Sequence, residues 1–125
     1  MFDIPVVIQV TDDEKYVFNP KLELETTIKM GKENIKDIIA FGFDPAKTFI
    51  FSDVEYIKEL YPNVLRVQKN ITANQIKGVF GFDMSDPVGK YAYPPVQAVP
   101  SFCNTFPHIF GERKNIRSLI PCAID

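Results

Sequence analysis

A glutamine inside an apolar run is the first residue of this chain whose type and position could do chemistry. Gln9 lies within residues 5–10, PVVIQV, and the polar run TDDEK follows at 11–15. A buried amide left without hydrogen-bond partners costs about 1–3 kcal/mol, so Gln9 is either paired within the structure or available to a ligand. The charge run is by itself most typical of a solvated loop. It lacks the alternating acidic spacing of a calcium-binding loop.

The spacing of the other candidate motifs argues against familiar chemistry. Two glycine–lysine pairs, at 31–32 and 89–90, lack the upstream glycine and the following serine or threonine of a phosphate-binding loop. His108 is the only histidine, and no serine or cysteine is spaced as its triad partner, so a surface or packing role is expected. Cys103 and Cys122 fit no metal-binding spacing. We therefore expect no protein-held metal and no disulfide framework.

The hydrophobic pattern predicts elements that would position Gln9 and the run that follows it. Residues 5–10 and 48–52 are short apolar runs typical of buried strands, and residues 24–41 carry isoleucines at helical spacing. Strand, helix and strand make a βαβ unit with parallel strands. Ligands of open parallel sheets bind beyond the carboxyl ends of the strands. Gln9 and residues 11–15 fall at such an end.

The remainder of the chain predicts a helical region and then a third strand. Helical patterns cover 54–92 and include a capping box at 72–75, with breaks expected at Pro62-Asn63, at Gly81 and at Pro94-Pro95. A third buried strand is expected at about 119–124. The predicted fold class is α/β, with a helical insertion between the second and third strands.

Length and composition exclude several classes of protein. The chain has 125 residues, which is typical of one domain, and its hydrophobic content of 46% is too high for a disordered chain. With 14 Lys+Arg against 16 Asp+Glu the net charge is −2, which excludes a globally basic nucleic-acid binder. No apolar run is long enough for a membrane span, and the N-terminus does not resemble a signal peptide. A cytosolic protein is expected, and apolar runs close to both ends suggest a segment of a longer one.

Five blocks of the sequence resemble the eukaryotic tryptophanyl-tRNA synthetase family. In chain order they are VVIQVTDDEKY (6–16), NIKDIIAFGFDPAKTFIFSD (34–53), ITANQIKGVFGF (71–82), PPVQAVPSF (94–102) and LIPCAID (119–125). The similarity runs from residue 2 to residue 125. It implies a class I synthetase, with residues 1–125 as part of its Rossmann-type catalytic domain and about three strands of the parallel sheet.

The resemblance also implies an activity and partners. Members of this family use ATP, with Mg²⁺, to activate tryptophan as tryptophanyl-adenylate and then transfer it to tRNA(Trp). Residues of about 60–115 would correspond to a helical insertion that forms a homodimer interface. The sequence contains neither the family's His-x-Gly-His motif nor its Lys-Met-Ser-x-Ser motif, so we expect this chain alone to be inactive. The alternative is a non-catalytic dimerising fragment or interaction module derived from such an enzyme.

Seven residues match functional positions of the family. Gln9 matches the glutamine that reads the indole N–H, while Glu14 and Gln97 match residues that hold the substrate α-ammonium. Lys15 matches a lysine on the ATP phosphates, where a cation would offset developing negative charge. The other matches are Tyr93 and Cys122, which would line the indole pocket, and Asp125, which would lie near the carboxylate and nucleotide.

Overall fold

The structure, a computed structural model, describes residues 3–121. In chain order its elements are β1 (Val6–Val10), α1 (Asp12–Phe18), α2 (Leu24–Ala40), β2 (Thr48–Ser52), α3 (Asp53–Asn70), α4 (Ala73–Phe80), α5 (Val88–Ala98) and α6 (Pro107–Phe110), with 3₁₀ turns at Val99–Ser101 and Cys103–Thr105 before α6. Within residues 3–121, no helix combines the length and the apolar character that a membrane crossing requires.

The predicted βαβ unit is present, and its strands are parallel. β1 pairs with β2 in a register that sets Val6 opposite Thr48 and Val10 opposite Ser52. Both strands therefore end side by side, and the residues after them meet at one edge of the sheet. The prediction that β1 is a fully buried strand was wrong, because all five of its residues are only partly buried. Its hydrogen-bonded neighbour in the described part of the chain is β2 alone, so the opposite edge of β1 is not covered by a strand.

The polar run after β1 is a helix, and the prediction of a solvated loop was wrong. α1 begins at Asp12 and carries three acidic residues in its first turn, where negative charge is favoured by the exposed N–H groups of a helix. Asp12 is buried, accepts a hydrogen bond from the Ser52 hydroxyl and receives the Val54 N–H at 3.2 Å. These contacts join α1 to the end of β2.

Prolines lie inside two helices, contrary to the predicted breaks. α3 continues through Pro62, and α5 continues through Pro94 and Pro95. A proline inside a helix costs about 3 kcal/mol because it removes a hydrogen bond and clashes with the preceding turn. In α3 the neighbouring Leu60 and Val64 are almost fully buried in the core, so tertiary packing compensates for the local cost.

The predicted capping box is confirmed, and a glycine follows the end of another helix. Gln75 donates its backbone N–H to the Thr72 hydroxyl at 3.2 Å, and its side-chain oxygen accepts the Thr72 N–H at 2.8 Å, which is the capping box at the start of α4. Gly42, which follows α2, has a φ of +84°. That left-handed conformation suits glycine at the end of a helix.

The main core lies where α3 and α5 pack beside the sheet. Its buried members come from β2, α3, α5 and the turns that follow: Phe51, Leu60, Val64, Tyr93, Val96, Val99 and Phe106. Phe106 contacts Phe51 with ring centroids 5.6 Å apart. Because Tyr93 and Val96 belong to this core, it holds α5 beside β2 and α3.

The third predicted strand is not found among the described residues. Residues 119–121 form no strand, and residues 122–124 lie outside the described part. Helices do follow β2, as expected for residues 60–115, although the first of them already begins at Asp53. An insertion between a second and a third strand thus remains a prediction.

Gly89 is required by a close approach between α1 and α5. A Cβ atom at this position would lie 2.8 Å from Val17 Cγ1 and 3.1 Å from Val17 Cγ2. Because valine has few alternative rotamers, we expect Gly89→Ala to lower the free energy of unfolding by about 1–3 kcal/mol. Urea denaturation of the chain measures this.

Gly78→Ala is the matched control, because a Cβ atom there has nothing within 4 Å. An alanine inside α4 should raise the free energy of unfolding by about 0.5–1 kcal/mol. Equal effects of the two substitutions would contradict a steric role for Gly89.

Candidate functional site

Polar side chains from three separate segments meet at the carboxyl edge of β1 and β2. They are Gln9, Thr11 and Glu14 from β1 and α1, Asp53 from the start of α3, and Tyr93 and Gln97 from α5. We call these six residues the polar cluster. Open parallel sheets bind ligands at this edge.

Gln9 connects two parts of the polar cluster through the two ends of its amide. Its Nε2 donates to both carboxylate oxygens of Asp53, at 2.8 and 2.9 Å. Its Oε1 accepts from Gln97 Nε2 in a long contact of 3.5 Å on the exposed side. The sequence left open whether Gln9 is paired within the structure or available to a ligand. Each alternative is true of one end of the amide: the amino group is paired with Asp53, and the oxygen faces the solvent-accessible side.

Buried carboxylates dominate the electrostatics of the site. Asp53 is fully buried, and burial, together with the charge of Asp13, raises its pKa to about 8. Burial also raises the pKa of Asp13. Each carboxyl group is harder to ionise beside another negative charge in a buried site.

Tyr93 and Gln97 lie one helical turn apart on α5, and both side chains belong to the polar cluster. The Tyr93 hydroxyl donates to Gln97 Oε1 at 2.6 Å. Burial raises the pKa of Tyr93, and the negative charges of Asp53 and Glu14 add to the effect. The tyrosine therefore stays neutral and acts as a donor, which orients the Gln97 oxygen. Its ring also packs edge-to-face on Phe18 of α1, with centroids 6.1 Å apart.

Glu14 and Lys15 differ in how firmly they are held. Glu14 Oε2 accepts the Thr11 hydroxyl at 2.8 Å. Lys15 has a side chain that is 71% exposed and an Nζ atom 4.0 Å from Glu14 Oε2. An exposed pair at this distance contributes little to stability. Lys15 is thus an exposed cation at the rim, beside an oriented carboxylate.

A cleft of about 460 Å³ opens beside the polar cluster. Gln9, Thr11 and Gln97 supply polar groups to its wall, and Val7 and Phe106 are among its apolar lining residues. Ligand sites are typically apolar clefts of this size with a few placed polar groups. The arrangement can accept hydrogen bonds from donors on a ligand that is otherwise apolar.

The sequence-based site predictions have a mixed outcome. Gln9, Glu14, Tyr93 and Gln97 come together, and Lys15 lies at the edge of the same cluster. The predictions for Cys122 and Asp125 lie outside the described residues. His108 is exposed and packs against the Phe49 ring with centroids 4.5 Å apart, which confirms the surface or packing role.

Three polar residues of this region were missed by the sequence-based prediction. Asp12 and Ser52 bond to each other, and Asp53 holds Gln9. A signal was available, because Ser52 ends the second predicted strand, Asp53 directly follows it, and parallel strands end at the same edge. The part of the chain described here, residues 3–121, contains no group of three carboxylate, histidine or cysteine side chains placed to hold a metal ion.

Comparison with known proteins identifies relatives over the whole chain. No protein-family model matches it. The chain is 55% identical to the cytoplasmic tryptophan–tRNA ligase of Dictyostelium discoideum over 128 aligned residues, covering 99% of the chain and 32% of the relative. It is 56% identical to the rat enzyme of the same name, covering all of the chain and 26% of that protein. The chain therefore spans about a quarter to a third of the length of these curated relatives.

Solved structures give the same relationship. The tryptophanyl-tRNA synthetase of Trypanosoma brucei superposes with a TM-score of 0.83 at 49% identity, over 86% of this chain and 32% of that one. The Encephalitozoon cuniculi enzyme, solved bound to tryptophan, has a TM-score of 0.83 at 44% identity, over 86% of this chain and 30% of its own. By sequence and by fold, the chain belongs with the cytoplasmic tryptophan–tRNA ligases and corresponds to one segment of them, as its sequence blocks predicted.

Proposed function

We propose that this chain is the tryptophan-recognition segment of a cytoplasmic tryptophan–tRNA ligase, the parent ligase. The observation that carries the proposal is the polar cluster. Four of its residues, Gln9, Glu14, Tyr93 and Gln97, are ones that the family resemblance assigns to tryptophan binding. Gln9 and Gln97 are 88 positions apart in the chain and yet touch. A cleft with apolar walls opens beside them.

The proposed recognition uses acceptors whose direction is set by neighbouring donors. The indole N–H only donates, so it requires an acceptor such as Gln9 Oε1. The α-ammonium needs acceptors and a negative charge, which Gln97 Oε1 and the Glu14 carboxylate provide. Tyr93 orients the first of these and Thr11 the second. A site organised in this way discriminates against side chains that cannot donate, since its acceptors would remain unpaired.

The reaction we propose for the parent ligase is the two-step aminoacylation of tRNA(Trp). A tryptophan carboxylate oxygen attacks the α-phosphorus of ATP, and the bond to pyrophosphate breaks. A tRNA hydroxyl then attacks the acyl carbon, loses its proton, and AMP leaves. In this chain, Glu14 and Gln97 hold the amino acid while Lys15 supplies positive charge for the phosphates. Any Mg²⁺ would accompany the ATP phosphates, as the family resemblance implies.

A second candidate function, a non-catalytic dimerising fragment, is favoured by exposed apolar side chains on and after α4. Val79 is 77% exposed, Met84 86% and Val88 83%, and Phe80 is also exposed. Exposed apolar patches of this kind are typical of surfaces that another protein covers. They lie within the residues, about 60–115, that we propose as the helical insertion and homodimer interface.

Gln9→Ala in the parent ligase tests the proposed recognition. Loss of the only acceptor proposed for the indole N–H should raise the KM for tryptophan about tenfold or more, with a smaller effect on kcat. Tryptophan-dependent exchange of pyrophosphate into ATP measures both constants. Gln68→Ala is the matched control, because Gln68 is exposed and lies 15 residues along α3 from Asp53, a distance of about 22 Å. An unchanged KM for Gln9→Ala would mean that Gln9 is only structural.

A further inference from the structure

The Gln9 amide has one orientation that its surroundings accept. Its Nε2 lies 2.8 and 2.9 Å from the two oxygens of Asp53. An ionised carboxylate only accepts hydrogen bonds, and a protonated one that donates to Asp13 keeps an acceptor oxygen for Gln9. Because Nε2 bonds both Asp53 oxygens, the amino group of Gln9 faces Asp53. Its oxygen must then face the opposite way, toward Gln97 and the cleft.

We propose that Asp53 is a positioning residue that turns the Gln9 oxygen toward the ligand and so makes the site require a ring N–H. The inference rests on the proposed function, in which Gln9 reads the indole of tryptophan. Asp53 itself would not touch the substrate. Its effect would pass through the Gln9 amide alone.

The position of Asp53 is well suited to this role because it is rigid. Asp53 is the first residue of α3 and is fully buried. The residues before and after Asp53 both bond to Asp12. The Ser52 hydroxyl donates to the Asp12 carboxylate, and the Val54 N–H donates to the same carboxylate at 3.2 Å. Ser52 also caps α3 by accepting the Glu55 N–H at 3.4 Å. The acceptor that faces Gln9 is thus held by the fold.

An unrestrained amide could present either end to the ligand. If the amino group faced the indole, two donors would oppose each other and the ring N–H would have no partner, which is costly in a buried site. A ring that carries sulfur in place of N–H would lose nothing in that orientation. Preference for tryptophan over such a ring therefore reports the direction of the amide.

The test measures that preference in the parent ligase by amino-acid-dependent pyrophosphate exchange. Tryptophan is compared with β-(3-benzothienyl)alanine, in which sulfur replaces the ring N–H, as a ratio of kcat/KM values. Asp53→Ala removes the acceptor and is expected to lower the ratio about tenfold. Asp53→Asn keeps one acceptor oxygen and can still donate to Asp13, so it should retain most of the ratio. Asp53→Leu also lacks a side-chain acceptor and fills more of the buried space, so it replaces Asp53→Ala if that variant does not fold.

The outcomes separate this inference from the function on which it rests. A low ratio for Asp53→Ala together with a retained ratio for Asp53→Asn supports positioning. If Gln9→Ala abolishes the preference and Asp53→Ala keeps it, the role of Asp53 is wrong while that of Gln9 stands. Equal losses for tryptophan and its analogue in Asp53→Ala would indicate a structural or charge effect and also overturn the inference. A preference that survives Gln9→Ala overturns both.

Discussion

Replacing Glu14 by alanine in the parent ligase is expected to lower kcat/KM for tryptophan about 100-fold or more. Removal of one partner of a partly buried ion pair costs several kcal/mol, because the other charge loses its compensation. Glu14 is partly buried, and its carboxylate is oriented by Thr11 at 2.8 Å. The α-ammonium of the substrate would lose its only proposed counter-charge. Tryptophan-dependent pyrophosphate exchange measures the loss.

Two further variants show whether charge is the cause. Glu14→Gln preserves size and one acceptor oxygen, so its loss should be smaller than that of alanine. Glu33→Ala removes an exposed carboxylate that pairs with Lys36 on α2, and it should leave exchange unchanged. Exchange at the wild-type rate by Glu14→Ala would remove Glu14 from the proposed site.

The 125-residue chain by itself is expected to give no tryptophan-dependent pyrophosphate exchange. Catalysis of this class depends on several segments that position ATP and stabilise charge together. The chain contains neither nucleotide-binding motif of the family, and Lys15, its one proposed phosphate ligand, is 71% exposed on its own. The comparison is with the parent ligase under the same conditions, where exchange should be readily measured.

Sedimentation of the same inactive chain separates the two candidate functions. A stable, folded dimer that binds no tryptophan would favour the dimerising module, with the exposed side chains around α4 as its interface. A chain that does not form a dimer would contradict that module. Exchange by the chain alone would contradict the need for the family's two nucleotide-binding motifs.

Local patterns were reliable wherever the determining interactions are close in sequence. The capping box of Thr72 and Gln75 joins residues three positions apart, and it was predicted correctly. The helix at residues 12–18 was not predicted, because its first residue, Asp12, is stabilised by Ser52, 40 positions away. The predicted helix breaks at the prolines of α3 and α5 were wrong for a related reason. The energetic cost of a proline is local in sequence, whereas the packing that offsets it involves residues far away in sequence.

The sequence by itself determined the family, the βαβ unit and four residues of the polar cluster. These follow from residue order, hydrophobic period and motif identity, which do not require coordinates. Only the tertiary structure decided what those residues do to one another. The direction of the Gln9 amide depends on Asp53, 44 positions later, and the direction of the Gln97 oxygen depends on the Tyr93 hydroxyl. Hydrogen-bond direction depends on distance and angle between specific atoms, and those are set only when the strands and helices have packed.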